Sequence, residues 1–211
     1  MKLLVPWLNR TEIKKAADDI NTQFNPQREI PVPIETMVER DFNIDIVPFA
    51  GLKEELENDG FLARDFTTIH IDQYVYFNVE VRYRFSLAHE LGHLVLHRQA
   101  FRDLAVDSVE EWADMYDSID EDDSNKLEFQ ANSFAGYLLI PDFALSSRFA
   151  EVLRDIGPLI AKAKESGIER ETYTESALGT IARKLAPGFN VSVSCMENRL
   201  KNDEAYRKLM P

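Results

Sequence analysis

The spacing of apolar residues along the chain predicts a mostly helical protein. In several segments an apolar residue recurs every three or four positions, which is the pattern of a helix with one buried face. We predict that Thr11 caps the first of these helices and that Pro141 ends the last of them. The segments with this pattern are 11–24, 34–42 and 125–141.

A smaller part of the pattern predicts strands. Residues 43–49 alternate in the manner of a strand, and Pro48 predicts an edge position or a strand end, because proline has no N–H to donate to a neighbouring strand. Residues 66–77 are rich in β-branched and aromatic side chains, and we predict one or two strands there. The last third is predicted to hold two or three further helices, interrupted at the pairs 157–158, 166–167 and 187–188.

The segment FSLAHELGHLVLH, at 85–97, carries three of the chain's four histidines. On a helix His89 and His93 lie about 40° apart around the axis, so both imidazoles can face one ion. Glu90 would reach beside that ion without binding it, which is the HExxH arrangement of zinc peptidases. The alternative is a core helix that happens to carry imidazoles. We favour the metal site because unpaired imidazoles on a buried stripe would be costly.

A catalytic zinc site usually has a third protein ligand and an open position for water. His97 lies one turn beyond His93, and three imidazoles at this spacing span about 12 Å, so we expect His97 to support a ligand or to be structural. The predicted third ligand is Glu128, the acidic residue within the apolar frame of the helix predicted over 125–141. Asn132, on the same face, either hydrogen-bonds a ligand or caps a neighbouring backbone group.

These residues predict metal-assisted hydrolysis with Glu90 as the general base. The reaction also needs a group that stabilises the oxyanion, for which Tyr137, His97 and Arg82 are candidates. We expect Zn²⁺ as the metal, because two histidines and one carboxylate with an open position suit it best. Mn²⁺ and Fe²⁺ remain as alternatives.

Two sequence blocks resemble the ImmA/IrrE family of bacterial and phage metallopeptidases. They are RYRFSLAHELGHLVLH at 82–97 and EFQANSFAGYLLIP at 128–141, in the family's order. The chain differs from the family pattern at Gly136, where alanine is usual, and in a long acidic insertion between the blocks. The resemblance implies that the metal ligands are His89, His93 and Glu128 and that the general base is Glu90.

The resemblance also implies the fold and the partner. We expect an α+β fold, with a mostly helical zincin-like metallopeptidase domain and a small β-sheet over 1–145. A short helical C-terminal region, similar to a helix-turn-helix, would follow over 146–211. Family members cleave a helix-turn-helix repressor of a mobile element, a prophage or a stress response. The alternative is a non-cleaving anti-repressor or toxin–antitoxin component that binds a partner and keeps the metal for structure.

Charge and composition disfavour some classes of binding partner. A net charge of −13 over 211 residues disfavours broad binding to nucleic acids or anionic membranes. The segment 181–203 is only mildly basic, so packing or docking of the substrate is favoured over direct DNA binding. Nine carboxylates and no Lys or Arg between 107 and 123 predict a solvated loop or flap.

The cellular compartment is predicted from the cysteine count and from the search for a signal peptide or a membrane span. Cys195 is the single cysteine, so no internal disulfide can form. The apolar run at the N-terminus is too short for a signal peptide, and no segment approaches the roughly 20 apolar residues of a membrane span. We therefore expect a cytoplasmic protein.

Overall fold

The computed structural model describes residues 5–53, 58–63, 66–102 and 118–209. Its helices are α1 Arg10–Phe24, α2 Ile34–Thr36, α3 Gln73–Asn78, α4 Glu80–Arg102, α5 Glu121–Leu139, α6 Asp142–Glu165, α7 Arg170–Phe189, α8 Val193–Asn202 and α9 Glu204–Leu209. A π-helical turn, Met37–Asp41, continues α2. The strands are β1 Asp45–Phe49, β2 Gly60–Leu62 and β3 Thr68–Asp72. The predicted mostly helical α+β fold with a small sheet is confirmed.

The three strands form one sheet in the order β1-β3-β2. Strand β1 runs parallel to β3, with Asp45 opposite Thr68, and β2 runs antiparallel to β3, with Leu62 opposite Ile69. The prediction of an edge strand at Pro48 is confirmed, because β1 has a single neighbour in this sheet.

The prediction of strands throughout 66–77 is wrong for its second half. Strand β3 ends at Asp72, whose Oδ1 accepts hydrogen bonds from the backbone N–H groups of Tyr74 at 3.0 Å and Val75 at 3.1 Å. This side chain caps α3, and the cap starts a helix in spite of the β propensity of the aromatic residues that follow.

The predicted cap of α1 is also wrong. Asn9, rather than Thr11, is the N-cap, and its Oδ1 accepts from the backbone N–H groups of Thr11 and Glu12. The Glu12 carboxylate accepts from the Asn9 N–H at 2.8 Å and completes a capping box. A threonine inside the first turn cannot offer this reciprocal pair of hydrogen bonds.

The predicted interruption at 157–158 is wrong, because Pro158 lies within the continuous helix α6. The interruption predicted at 187–188 lies in the last turn of α7, which ends at Phe189, so the break comes slightly later than predicted. Pro158 is exposed, so water can bind the carbonyl that loses its helical partner. The pair 166–167 does separate two helices, as predicted.

The core brings the two sequence blocks together. Helices α4 and α5 pack against each other along much of their length. Gly92 allows this approach, because a Cβ there would lie 3.2 Å from Ala131 Cα and 3.1 Å from Phe134 Cδ1. The core is one cluster that draws on both 1–145 and 146–211, and the division into two regions stays a prediction.

Two other expectations concern the acidic segment and membrane-spanning helices. Most of the acidic segment, 107–117, lies outside the described residues, so its assignment as a solvated loop stays a prediction. None of the described helices combines the length and apolar content that crossing a bilayer requires.

Candidate metal centre

Helices α4 and α5 bring His89, His93 and Glu128 together. The two histidine Nε2 atoms lie 3.0 Å apart, and the carboxylate oxygens of Glu128 lie 3.4 Å from His89 Nε2 and 3.5 Å from His93 Nε2. Metal bonds of about 2.0–2.1 Å at tetrahedral angles place neighbouring ligand atoms about 3.3 Å apart. The donor set and its spacing therefore fit a small divalent cation.

The three side chains differ in exposure. The side chain of His93 is 8% exposed, that of His89 is 13% exposed, and that of Glu128 is 38% exposed. The centre is therefore closed on the His93 side and open on the Glu128 side.

Asn132 contacts the more exposed histidine. Its Oδ1 lies 3.1 Å from His89 Nδ1. An amide oxygen can only accept, so this hydrogen bond needs a proton on Nδ1 and leaves Nε2 unprotonated. A metal ligand requires this tautomer. The contact corresponds to the first of the two roles considered for Asn132, a hydrogen bond to a ligand residue.

Glu90 is buried beside the histidines, with 5% of its surface exposed. Its Oε2 accepts a hydrogen bond of 2.9 Å from the backbone N–H of Leu62, the last residue of β2. Burial raises the pKa of Glu90 to about 8, against the opposing effects of His93 and of the Leu62 N–H. Sequence reasoning missed Leu62, because a backbone donor 28 residues away leaves no local signal.

The pKa values of the two candidate ligand histidines are shifted in opposite directions. Burial lowers the pKa of His89 to about 4, and His93 acts in the same direction. Burial also lowers the pKa of His93, but the contact with Glu128 and the charge of Glu90 outweigh it, so that pKa is raised. Without a metal, the protonated form is thus favoured at His93 and disfavoured at His89. A metal cation bound at the centre would favour neutral imidazoles and ionised carboxylates.

The chain matches the model of the Peptidase_M78 family, described as the IrrE N-terminal-like domain, over residues 40–201. The chain belongs to this family. The match confirms the resemblance to the ImmA/IrrE metallopeptidases and includes both helices of the metal centre. No curated protein matches the chain significantly.

Two of the oxyanion candidates in this Peptidase_M78 member have other partners. His97 is 2% exposed, and its Nδ1 lies 3.1 Å from His93 Nδ1, on the side away from Glu128. Arg82 lies two turns before His89 on α4, about 10 Å along the axis. Its guanidinium donates to the carboxylate of Asp59. His97 therefore contacts the side of the His93 ring that faces away from Glu128, and Arg82 is paired with Asp59 about two helical turns before His89.

The third oxyanion candidate, Tyr137, lies on another side of α5. It follows Glu128 by nine residues, which is about half a turn around the helix and about 13 Å along it. The guanidinium of Arg199 lies over its ring, 4.6 Å from the centroid. The structure does not bring the Tyr137 ring to the three ligands.

A cleft of about 760 Å³ adjoins the centre in this metallopeptidase family member. Phe85, whose ring centroid is 6.4 Å from that of His89, and Asn132, which contacts His89, line the cleft, whereas the three candidate ligands and Glu90 do not. Cys195 also lines the cleft, but burial raises the pKa of its thiol to about 12, so it is a poor nucleophile. Side chains of α5 and α8 supply much of the remaining lining, among them Phe129, Ser133, Tyr137, Ser194, Asn198 and Asn202.

Proposed function

We propose that this chain is a zinc-dependent endopeptidase with His89, His93 and Glu128 as metal ligands and Glu90 as general base. The convergence of two imidazole nitrogens and a carboxylate next to a buried carboxylate carries the proposal. Membership of a metallopeptidase family supports it. Zinc is preferred because a two-histidine, one-carboxylate site with an open position suits it, with Mn²⁺ and Fe²⁺ as alternatives.

In the proposed mechanism, different residues have different roles in peptide hydrolysis. A divalent metal held here would acidify a water molecule and polarise the peptide carbonyl. Glu90 is anchored at one oxygen by the Leu62 N–H, so the other oxygen can take the proton from water and pass it to the departing amine. Asn132 keeps the proton of His89 on Nδ1 and so orients that ring.

We propose that the substrate is a segment of a protein that lies in the cleft beside His89. Rings such as Phe85 and Phe129 can bury apolar side chains of the substrate, and amides such as Asn198 can hydrogen-bond its backbone. From the family resemblance, we propose that the substrate is a helix-turn-helix transcriptional repressor. The chain would then be a cytoplasmic anti-repressor protease of a bacterial mobile element, a prophage or a stress response.

The C-terminal region is proposed to form a wall of this cleft rather than a DNA-binding surface. Helix α8 contributes Asn198 and Asn202 to the cleft. Arg199, which the sequence counts as a basic residue, is 4% exposed and donates to the Ile140 carbonyl and to Asp142. A buried, paired guanidinium is not available to DNA phosphates.

The variant Glu90→Gln tests the proposed mechanism. The glutamine oxygen can still accept from the Leu62 N–H, so we expect normal folding and one bound Zn²⁺. Cleavage should fall by at least about 10²-fold, because the amide cannot carry the proton. Metal analysis, thermal unfolding and mass spectrometry of a candidate helix-turn-helix repressor incubated with the chain measure the three properties.

Two outcomes would contradict this mechanism. Cleavage by the Gln variant at the wild-type rate would remove Glu90 as the base. Tight binding of the repressor by wild type without cleavage would favour the non-cleaving anti-repressor in its place. Glu128→Gln is the matched control, since it should lose the metal together with the activity.

A further inference from the structure

We propose that Gln130 is a positioning residue that fixes the tautomer of His93 through His97. It would thereby present the unprotonated Nε2 of His93 to the metal. The inference rests on the proposed metal centre, and it adds a buried residue to the machinery that supports it.

A chain of contacts connects the ligand to the N-terminal segment. His93 Nδ1 lies 3.1 Å from His97 Nδ1, and His97 Nε2 lies 3.0 Å from Gln130 Oε1. The Nε2 amide group of Gln130 donates to the backbone carbonyl of Pro6, also at 3.0 Å. We call these four residues the relay.

The Pro6 carbonyl sets the direction of every hydrogen bond in the relay. A carbonyl can only accept, so the amide nitrogen of Gln130 must face Pro6 and its oxygen must face His97. His97 therefore carries its proton on Nε2, and its Nδ1 can only accept. The proton between the two histidines must then belong to His93 Nδ1, which leaves Nε2 of a neutral His93 unprotonated, the state that a metal ligand requires.

Burial makes this direction hard to reverse. The exposed fraction of the residue is 0% for Gln130, 2% for His97 and 6% for His93. Turning the amide round would place two oxygens about 3.0 Å apart at Pro6, the distance that now holds a donor and an acceptor. Bulk water cannot easily stabilise that arrangement at a fully buried side chain.

The N-terminal segment is held on the same helix that carries Gln130. The ring of Trp7 stacks on Phe129, with centroids 5.4 Å apart and planes 10° apart. The guanidinium of Arg10 lies 4.7 Å from the same ring centroid. These contacts fix the carbonyl of Pro6, the residue just before Trp7, relative to Gln130. Residues at the start of the described chain thus support a ligand far along it.

The first test measures zinc affinity in the full chain. Gln130→Met keeps a long buried side chain but removes the amide oxygen that accepts from His97. We expect its affinity for Zn²⁺, measured by competition with a chelator, to fall, by at most the roughly 10–100-fold that follows when the direct partner of a ligand histidine is lost, because Gln130 acts through His97. Asn21→Leu is the matched control, because Asn21 is also a buried amide and donates to Leu138 of the same helix at 3.0 Å. It should lower stability without changing zinc affinity.

The second test needs no variant. In the zinc-loaded wild-type chain, ¹⁵N NMR of the imidazoles should show a proton on Nε2 of His97 and none on its Nδ1. A proton on Nδ1 of His97 would overturn the proposal even if Gln130→Met failed to fold. Wild-type affinity in Gln130→Met, or an equal loss in Asn21→Leu, would also overturn it. If wild type bound no Zn²⁺ at all, the proposed function would fail as well.

Discussion

Helix α5 has two faces with different surroundings, and each face contacts one histidine of α4. On the core face, Gln130 and its neighbours are fully buried, and Gln130 reaches His93 through His97. On the cleft face, Asn132 is exposed and contacts His89 directly. Under the two proposals, His93 is oriented from inside the protein and His89 from the cleft side. Substitutions on the two faces should therefore separate metal binding from stability.

The largest effect outside the relay is expected at Asn132. Asn132→Leu removes the acceptor of the His89 Nδ1–H, so Zn²⁺ affinity should fall about 10–100-fold in a chelator competition. Because Asn132 is exposed, unfolding of the metal-free variant should change by only about 0.5 kcal/mol. Asn132→Asp keeps an acceptor oxygen and should restore most of the affinity. Wild-type affinity in the Leu variant would show that His89 needs no orienting partner.

The next largest effect is a loss of stability expected at Gly92, where α4 packs against the core face of α5. Gly92→Ala would place a Cβ 3.2 Å from Ala131 Cα and 3.3 Å from its carbonyl oxygen, and these backbone atoms cannot move without separating the helices. Overpacking of about 1–3 kcal/mol should outweigh the gain of about 1 kcal/mol from replacing glycine within a helix. Urea unfolding of the metal-free chain should show net destabilisation. An increase in stability would mean that the two helices separate easily.

The proposed ligands follow from local helix geometry, so their spacing in the sequence was sufficient to propose them. Two histidines at a four-residue spacing share a face of any helix, and an acid beside a core-facing stripe becomes a candidate third ligand when it can face them. The structure places the ligand atoms of His89, His93 and Glu128 within 4.8 Å of one another. No periodicity could show that Tyr137 and Arg82 have other partners, because those contacts depend on the packing of separate elements.

The residues that contact the histidines and Glu90 from other parts of the chain were harder to predict from the sequence. Gln130 did leave a signal, since it is a polar residue on the same stripe as Leu127, Ala131 and Phe134, all fully buried. Its partners could not be predicted, because the Pro6 carbonyl is 124 residues away and a backbone group carries no sequence signature. The same limit hid the Leu62 N–H that holds Glu90. Long-range backbone hydrogen bonds appear only once the fold is known.

The smallest effect is expected on the cleft face, at Gly136, where the family usually has alanine. A Cβ at Gly136 would meet no atom within 4 Å, in contrast to Gly92 on the facing helix. Gly136→Ala should therefore gain most of the helix propensity, about 0.5–1 kcal/mol in urea unfolding, with unchanged Zn²⁺ affinity. Gly136→Leu should keep the metal but raise KM for the repressor, because its side chain would enter the cleft. If the Ala variant were less stable than wild type, this face of α5 would not be open in solution, and the comparison of the two faces would fail.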